Sequence, residues 1–189
     1  MLDVALKFLE RELNGYFFHR TGSTEVKVKA GQVVDDAGKW AMAENQVCAT
    51  VVQVEEERTL KAQRPEAALS AGRQVSLEPE LRLNLHVLFC ARFQQYDQAM
   101  LYLSHLLTFF QSHTAFTPER YPDLDGRVRK LSAELLPLGY EQLNQLWAFV
   151  GAKHLPSVVY RLRMLSVQDP QPLAVAPAIG DLATEIKTS

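Results

Sequence analysis

Apolar residues return every three or four positions at the start of the chain: Leu2, Ala5, Leu6, Leu9, Leu13 and Phe17. This spacing predicts an amphipathic helix over residues 2–18, loosened near its end by Asn14-Gly15. The period then changes. Residues 25–29 alternate and predict a short, exposed strand. Residues 47–54 are dense and β-branched, and predict a buried strand that runs out into Glu55, Glu56, Glu57 and Arg58. Between them, residues 31–44 are polar, with Asp35-Asp36 and Gly38, and read as a loop or weak hairpin. Residues 60–78, with Pro65, an alanine-rich patch and Gly72, read as a loop. Leu81, Leu83, Leu85 and Val87 then alternate with Arg82, Asn84 and His86, and Leu88-Phe89-Cys90-Ala91 is apolar on both faces. That pattern predicts a long strand, half covered at its start and central at its end.

Tyr96, Ala99, Met100, Leu103, Leu106, Leu107 and Phe110 give a second helix over residues 96–110, with a wide apolar stripe. Residues 112–125, containing Pro118 and Pro122, read as a loop. Residues 128–136 predict a strand with Arg129, Leu131, Ala133 and Leu135 on one side. Pro137-Leu138-Gly139 turns the chain into a third helix carrying Leu143, Leu146, Trp147 and Val150. Gly151 stops that helix, since glycine takes a left-handed backbone at little cost. Pro156 opens the last strand, where no ladder donor is needed. Val158, Tyr160, Leu162 and Met164 share one face of it, and Arg161 and Arg163 project together from the other.

This order predicts one α+β domain over residues 1–167. Helices 2–18 and 96–110 pack on a mixed sheet of about four or five strands. Residues 168–189 hold three prolines and small residues and predict an extended C-terminal arm.

The totals narrow the function. At 189 residues the chain can bury a real core, and its 47% hydrophobic content suits a globular fold. A net charge of −2 offers no global attraction to nucleic acid. Lys7, Glu10, Arg11 and Glu12 break the N-terminal apolar residues too early for a signal peptide, and no run is long enough to span a membrane. The expected setting is the cytoplasm. Cys48 and Cys90 sit in apolar strand patterns and read as buried free thiols.

The search for chemistry finds no phosphate loop, no His-Glu-x-x-His, no Cys-x-x-Cys and no Gly-x-Ser-x-Gly. The five histidines are scattered and lack an orienting neighbour in sequence. The charge run Glu55-Glu56-Glu57-Arg58 is dense, but on a strand only Glu55 and Glu57 converge. It reads as a solvated strand end or an ion-pair patch against another chain. Arg161 and Arg163, or Arg127, Arg129 and Lys130, are its candidate partners, in a ring contact where one patch meets a different one. The candidate interface residues are therefore Glu55, Glu57, Arg58, Arg161 and Arg163. A second reading is a small enzyme or ligand-binding domain in which the glutamates converge with a histidine such as His86.

Four segments together resemble one family: LDVALKFLERELN, VCATVVQVEEERTLK, LNLHVLFCARFQQYDQAMLYLSHLLTFFQ and LWAFVGAKHLPSVVYRLRML. The chain is similar to the Pvc16 N-terminal domain family over residues 1–167. His154 stands where an aromatic such as tyrosine is expected. Members resemble the tail-terminator, or cap, proteins of extracellular contractile injection systems, which are related to contractile phage tails. The resemblance implies a hexameric ring on the distal end of the tube and sheath. Such a ring ends polymerisation and fixes particle length. Its partners are other copies of the chain and the tube and sheath proteins, not nucleic acid or membrane. The resemblance implies no catalysis, metal or cofactor. An adaptor role elsewhere in the same particle is the alternative.

Overall fold

The computed structural model describes residues 2–57, 66–70, 73–77, 81–166 and 174–176, and side chains within 2–57 and 81–165. Helix α1 is Leu2–Thr21, followed by β1 (Lys27–Ala30) and β2 (Gln46–Glu56). Next come β3 (Glu66–Ser70), β4 (Arg73–Leu77) and the long β5 (Arg82–Arg92). Helix α2 (Tyr96–Ser112), β6 (Ala115–Phe116), β7 (Val128–Leu135), α3 (Tyr140–Val150), β8 (Ser157–Ser166) and β9 (Ala174–Ala176) complete the order.

The main sheet has six strands in the order β1-β2-β5-β8-β7-β6. β1 runs parallel to β2, and every other neighbouring pair is antiparallel. The α+β class and the mixed sheet are as the periodicity predicts. The extra strand, β6, is two residues long. It hid in a segment read as loop because two residues carry no period and Pro118 follows closely. It carries Phe116, which is fully buried.

One face of the sheet is packed by α1 and α2. Phe8, Leu9, Leu13 and Phe17 of α1 meet Leu103, Leu106, Phe109 and Phe110 of α2 over Leu85, Val87, Phe89, Leu131, Leu162 and Met164. The predicted stripes of both helices therefore bury against the same side. A second, smaller core lies on the opposite face, where α3 and the turn around Asp35 cover Cys48, Leu88, Cys90 and Val159. Trp147 of α3 is buried in it. Gly151 ends α3 at φ 74°, the left-handed conformation expected of it.

Asn14 does not loosen α1, which continues to Thr21. Its amide instead completes the sheet edge. Asn14 Nδ2 donates to the Val28 carbonyl at 2.9 Å, and the Val28 N–H donates to Asn14 Oδ1 at 2.8 Å. The Ala30 N–H donates to Glu10 Oε2 at 3.0 Å. Side chains of α1 thus stand in for a further strand on β1 and close an edge open to pairing. Val28 is buried by this packing, which corrects the expectation of an exposed strand. Asn14→Ala should cost about 1–3 kcal/mol, because two backbone groups lose partners beside the core. Urea unfolding of the purified variant checks this, and a change below 0.5 kcal/mol, about the size of a neutral surface substitution, would contradict it.

The loop expected over residues 60–78 contains β3 and β4, which pair antiparallel from Glu66↔Leu77 to Ser70↔Arg73. Ser70 and Arg73 are separated in sequence by Ala71-Gly72, the spacing of a two-residue hairpin. The alanines and Pro65 masked that signal. β9, within the segment predicted as an arm, pairs antiparallel with β4 in a separate three-stranded sheet.

Candidate functional site

On the α3 side of the sheet, beyond the residues that α3 packs on, the described side chains of β2, β5, β8 and β7 are mostly polar, and no described helix packs on them. Register aligns the side chains of this open face in rows across four strands: Gln53, His86, Arg161 and Glu134, then Glu55, Asn84, Arg163 and Ser132. A further row holds Arg82, Leu165 and Lys130.

Two irregularities place these residues. Val47, Ala49 and Val51 of β2 face α1 and α2, so strict alternation would send Gln53 and Glu55 inward with them. The register shifts between Val51 and Gln53, and the extra residue turns Gln53 and Glu55 to the open face. β7 shifts in the same way between Val128 and Lys130. Val128 and Leu131 both remain buried there, and Lys130, Ser132 and Glu134 turn outward. The predicted grouping of Arg129 with Leu131 fails for this reason. A one-residue slip inverts every later side chain.

The charged groups bind one another across the strands. Arg163 Nη2 donates to Glu134 Oε2 at 2.7 Å, and Arg161 Nη1 lies 3.9 Å from the same oxygen. His86 Nε2 is 3.8 Å from Glu55 Oε2, and Gln53 Nε2 donates to Glu55 Oε1 at 2.6 Å. Asn84 Nδ2 donates to Glu57 Oε2 at 3.3 Å. Among the described residues, the buried His86 Nε2 and Arg161 Nε atoms have no hydrogen-bond partner.

The structure therefore gathers Glu55, Glu57, Arg161 and Arg163 on one face of one sheet, acidic toward β2 and basic toward β8. Arg58 lies outside the described residues. Arg127 is engaged in its own turn, with Nε and Nη2 donating to Asp125 at 2.9 and 2.8 Å. Those bonds hold the Asp125 carboxyl below the usual carboxylate range. A cleft of about 290 Å³ opens at the rim of the face, lined by Glu57, Arg82, Asn84, Lys130, Ser132 and Arg163 over Leu83, Met164 and Leu165. Sequence reasoning named Lys130 only as an alternative partner of the glutamates and missed Arg82 and Glu134 as members of this surface, because which strands lie side by side is not written in the periodicity.

The chemistry expected of the second reading meets only in part. Glu55 and His86 come together, but neither lines the cleft. Among the described residues, no group of three or more His, Cys, Asp or Glu side chains is placed to hold a metal ion. None of their helices is long and apolar enough to cross a membrane. Cys48 and Cys90 are buried free cysteines directly opposite on β2 and β5. The hydrogen bond with Cys48, together with burial, pushes the Cys90 thiol up and keeps it protonated.

A family model described as the Pvc16 N-terminal domain matches residues 5–181. No curated protein matches the chain in sequence. Among solved structures, the fold is similar to the sheath/tube terminator of PVC, an extracellular contractile injection system, in its extended state. That similarity has a TM-score of 0.64 at 14% identity and covers 94% of this chain and 63% of the other. It is also similar to the tube-terminating cap of the anti-feeding prophage, with a TM-score of 0.55 at 14% identity, covering 74% of this chain and 48% of that one. The chain thus spans about half to two thirds of the length of these neighbours.

Proposed function

This chain belongs to the Pvc16 N-terminal domain family, and from that premise we propose that it is a cap subunit of a contractile injection particle. Copies form a hexameric ring on the end of the tube and sheath distal to the baseplate, stop polymerisation and fix particle length. The role is structural and uses no catalysis, metal or cofactor. The observation that carries it is a fold shared along 94% of the chain with a sheath/tube terminator.

The open sheet face supplies the contact surface in this reading. Glu55 and Glu57 on its β2 side and Arg161 and Arg163 on its β8 side offer opposite charges to neighbouring subunits or to the tube and sheath. Rings of identical subunits join unlike patches, and charge pattern sets which patches meet. The chain is made in the cytoplasm and ends as a component of the assembled particle.

Labelling locates it. Particles carrying an epitope tag on this chain, decorated with gold-bound antibody and viewed by electron microscopy, should show label at the end opposite the baseplate. Label at the baseplate would favour an adaptor, and label along the sheath would contradict both roles.

A further inference from the structure

Among the described residues, the cleft at the rim of the open face is lined by more cations than carboxylates. Three cations line it: Arg82, Lys130 and Arg163. Arg163 is held by Glu134 at 2.7 Å. Among the described residues, neither Arg82 nor Lys130 has an ion-pair partner. One carboxylate, Glu57, lines it beside Arg82: the Glu57 N–H donates to the Arg82 carbonyl at 2.9 Å, and Asn84 Nδ2 donates to Glu57 Oε2 at 3.3 Å. Leu83, Met164 and Leu165 also line it.

We propose that this cleft receives an acidic peptide segment of a neighbouring protein, with a carboxylate held between Arg82 and Lys130 and its aliphatic stem on Leu165. Register puts Arg82 directly opposite Leu165, and Leu165 directly opposite Lys130, so the two cations flank one apolar residue on three adjacent strands. Spacing of that kind suits a side chain with a charged tip and an apolar stem. A dianionic phosphate suits the cleft less well, because Glu57 on its wall repels a second negative charge. The volume of about 290 Å³ is at the low end for a small-molecule cleft and fits a few inserted side chains. The inference rests on the assembly role above only for the source of the segment, and its test does not use particles.

The test is titration of the purified protein with a capped hexaglutamate peptide at low ionic strength, followed by amide chemical shifts. Saturable binding is expected, with the largest shifts at Arg82, Lys130, Ser132 and Leu165, weakening as salt rises. Arg82→Gln with Lys130→Gln should weaken it about tenfold or more. Lys153→Glu, a charge reversal outside the cleft, should leave it unchanged. Lys130→Gln alone, at an exposed side chain, decides the matter if the double variant fails to fold. Binding that is absent, unchanged in these variants, or displaced by equimolar inorganic phosphate would overturn the proposal. So would shifts explained by self-association of the chain, seen in light scattering without peptide. None of these failures bears on where the protein sits in a particle, and a misplaced label there would leave the titration standing.

Discussion

Phe89→Ala should destabilise the protein by about 3–5 kcal/mol, the range for truncating a buried phenylalanine. Phe89 is at the middle of β5, fully buried, with its ring 5.6 Å from Phe110 of α2 and 6.0 Å from Tyr160 of β8. It joins the central strand to the helix layer and to the strand that carries the arginines. Loss of the ring leaves a cavity between rigid strands, where the surroundings collapse poorly. A melting temperature lower by roughly 6–20 °C is expected for a chain of this size. A drop of less than 2 °C, well short of that estimate, would mean that the core is organised differently.

Reversing Arg161 and Arg163 together to glutamate should abolish capping while the domain stays folded. The two arginines share Glu134, and their side chains are 31% and 57% exposed. Exposed pairs contribute about 0–1 kcal/mol each, so the direct loss of stability is small. Three carboxylates brought together add some repulsion, which a third change removes. In the triple variant Arg161→Glu, Arg163→Glu, Glu134→Arg, the intrachain pairs return with their signs exchanged and melting should recover to near the wild-type value. Capped particles should stay about tenfold or more below wild type, because a neighbour that met cations now meets anions. Normal caps in the triple variant would show that this face makes no contact. An unfolded triple variant would show that the arginines serve the fold.

Much of the architecture was legible because burial repeats. The stripes of α1 and α2, the alternation in β8 and the apolar end of β5 all follow from one side of each element meeting one core. β6 escaped notice because two residues carry no period. β3 and β4 escaped because alanine and glycine gave a weak strand signal where Pro65 gave a strong loop signal. The candidate surface was half legible. Arg161 and Arg163 follow from strict alternation in a strand with no irregularity. Glu55 does not, because the extra residue in β2 sets its direction, and a bulge has no dependable mark in a single sequence. The pairing of His86 with Glu55 and of Arg163 with Glu134 depends on strand order, which periodicity leaves open.

The central claim is that this chain ends the tail. Its most direct test is the length distribution of particles assembled with the gene deleted, measured by electron microscopy against the complemented strain. The account predicts a broad distribution with overlong or unravelling tails, and a return to one length on complementation. Particles of unchanged, uniform length with intact distal ends would contradict it.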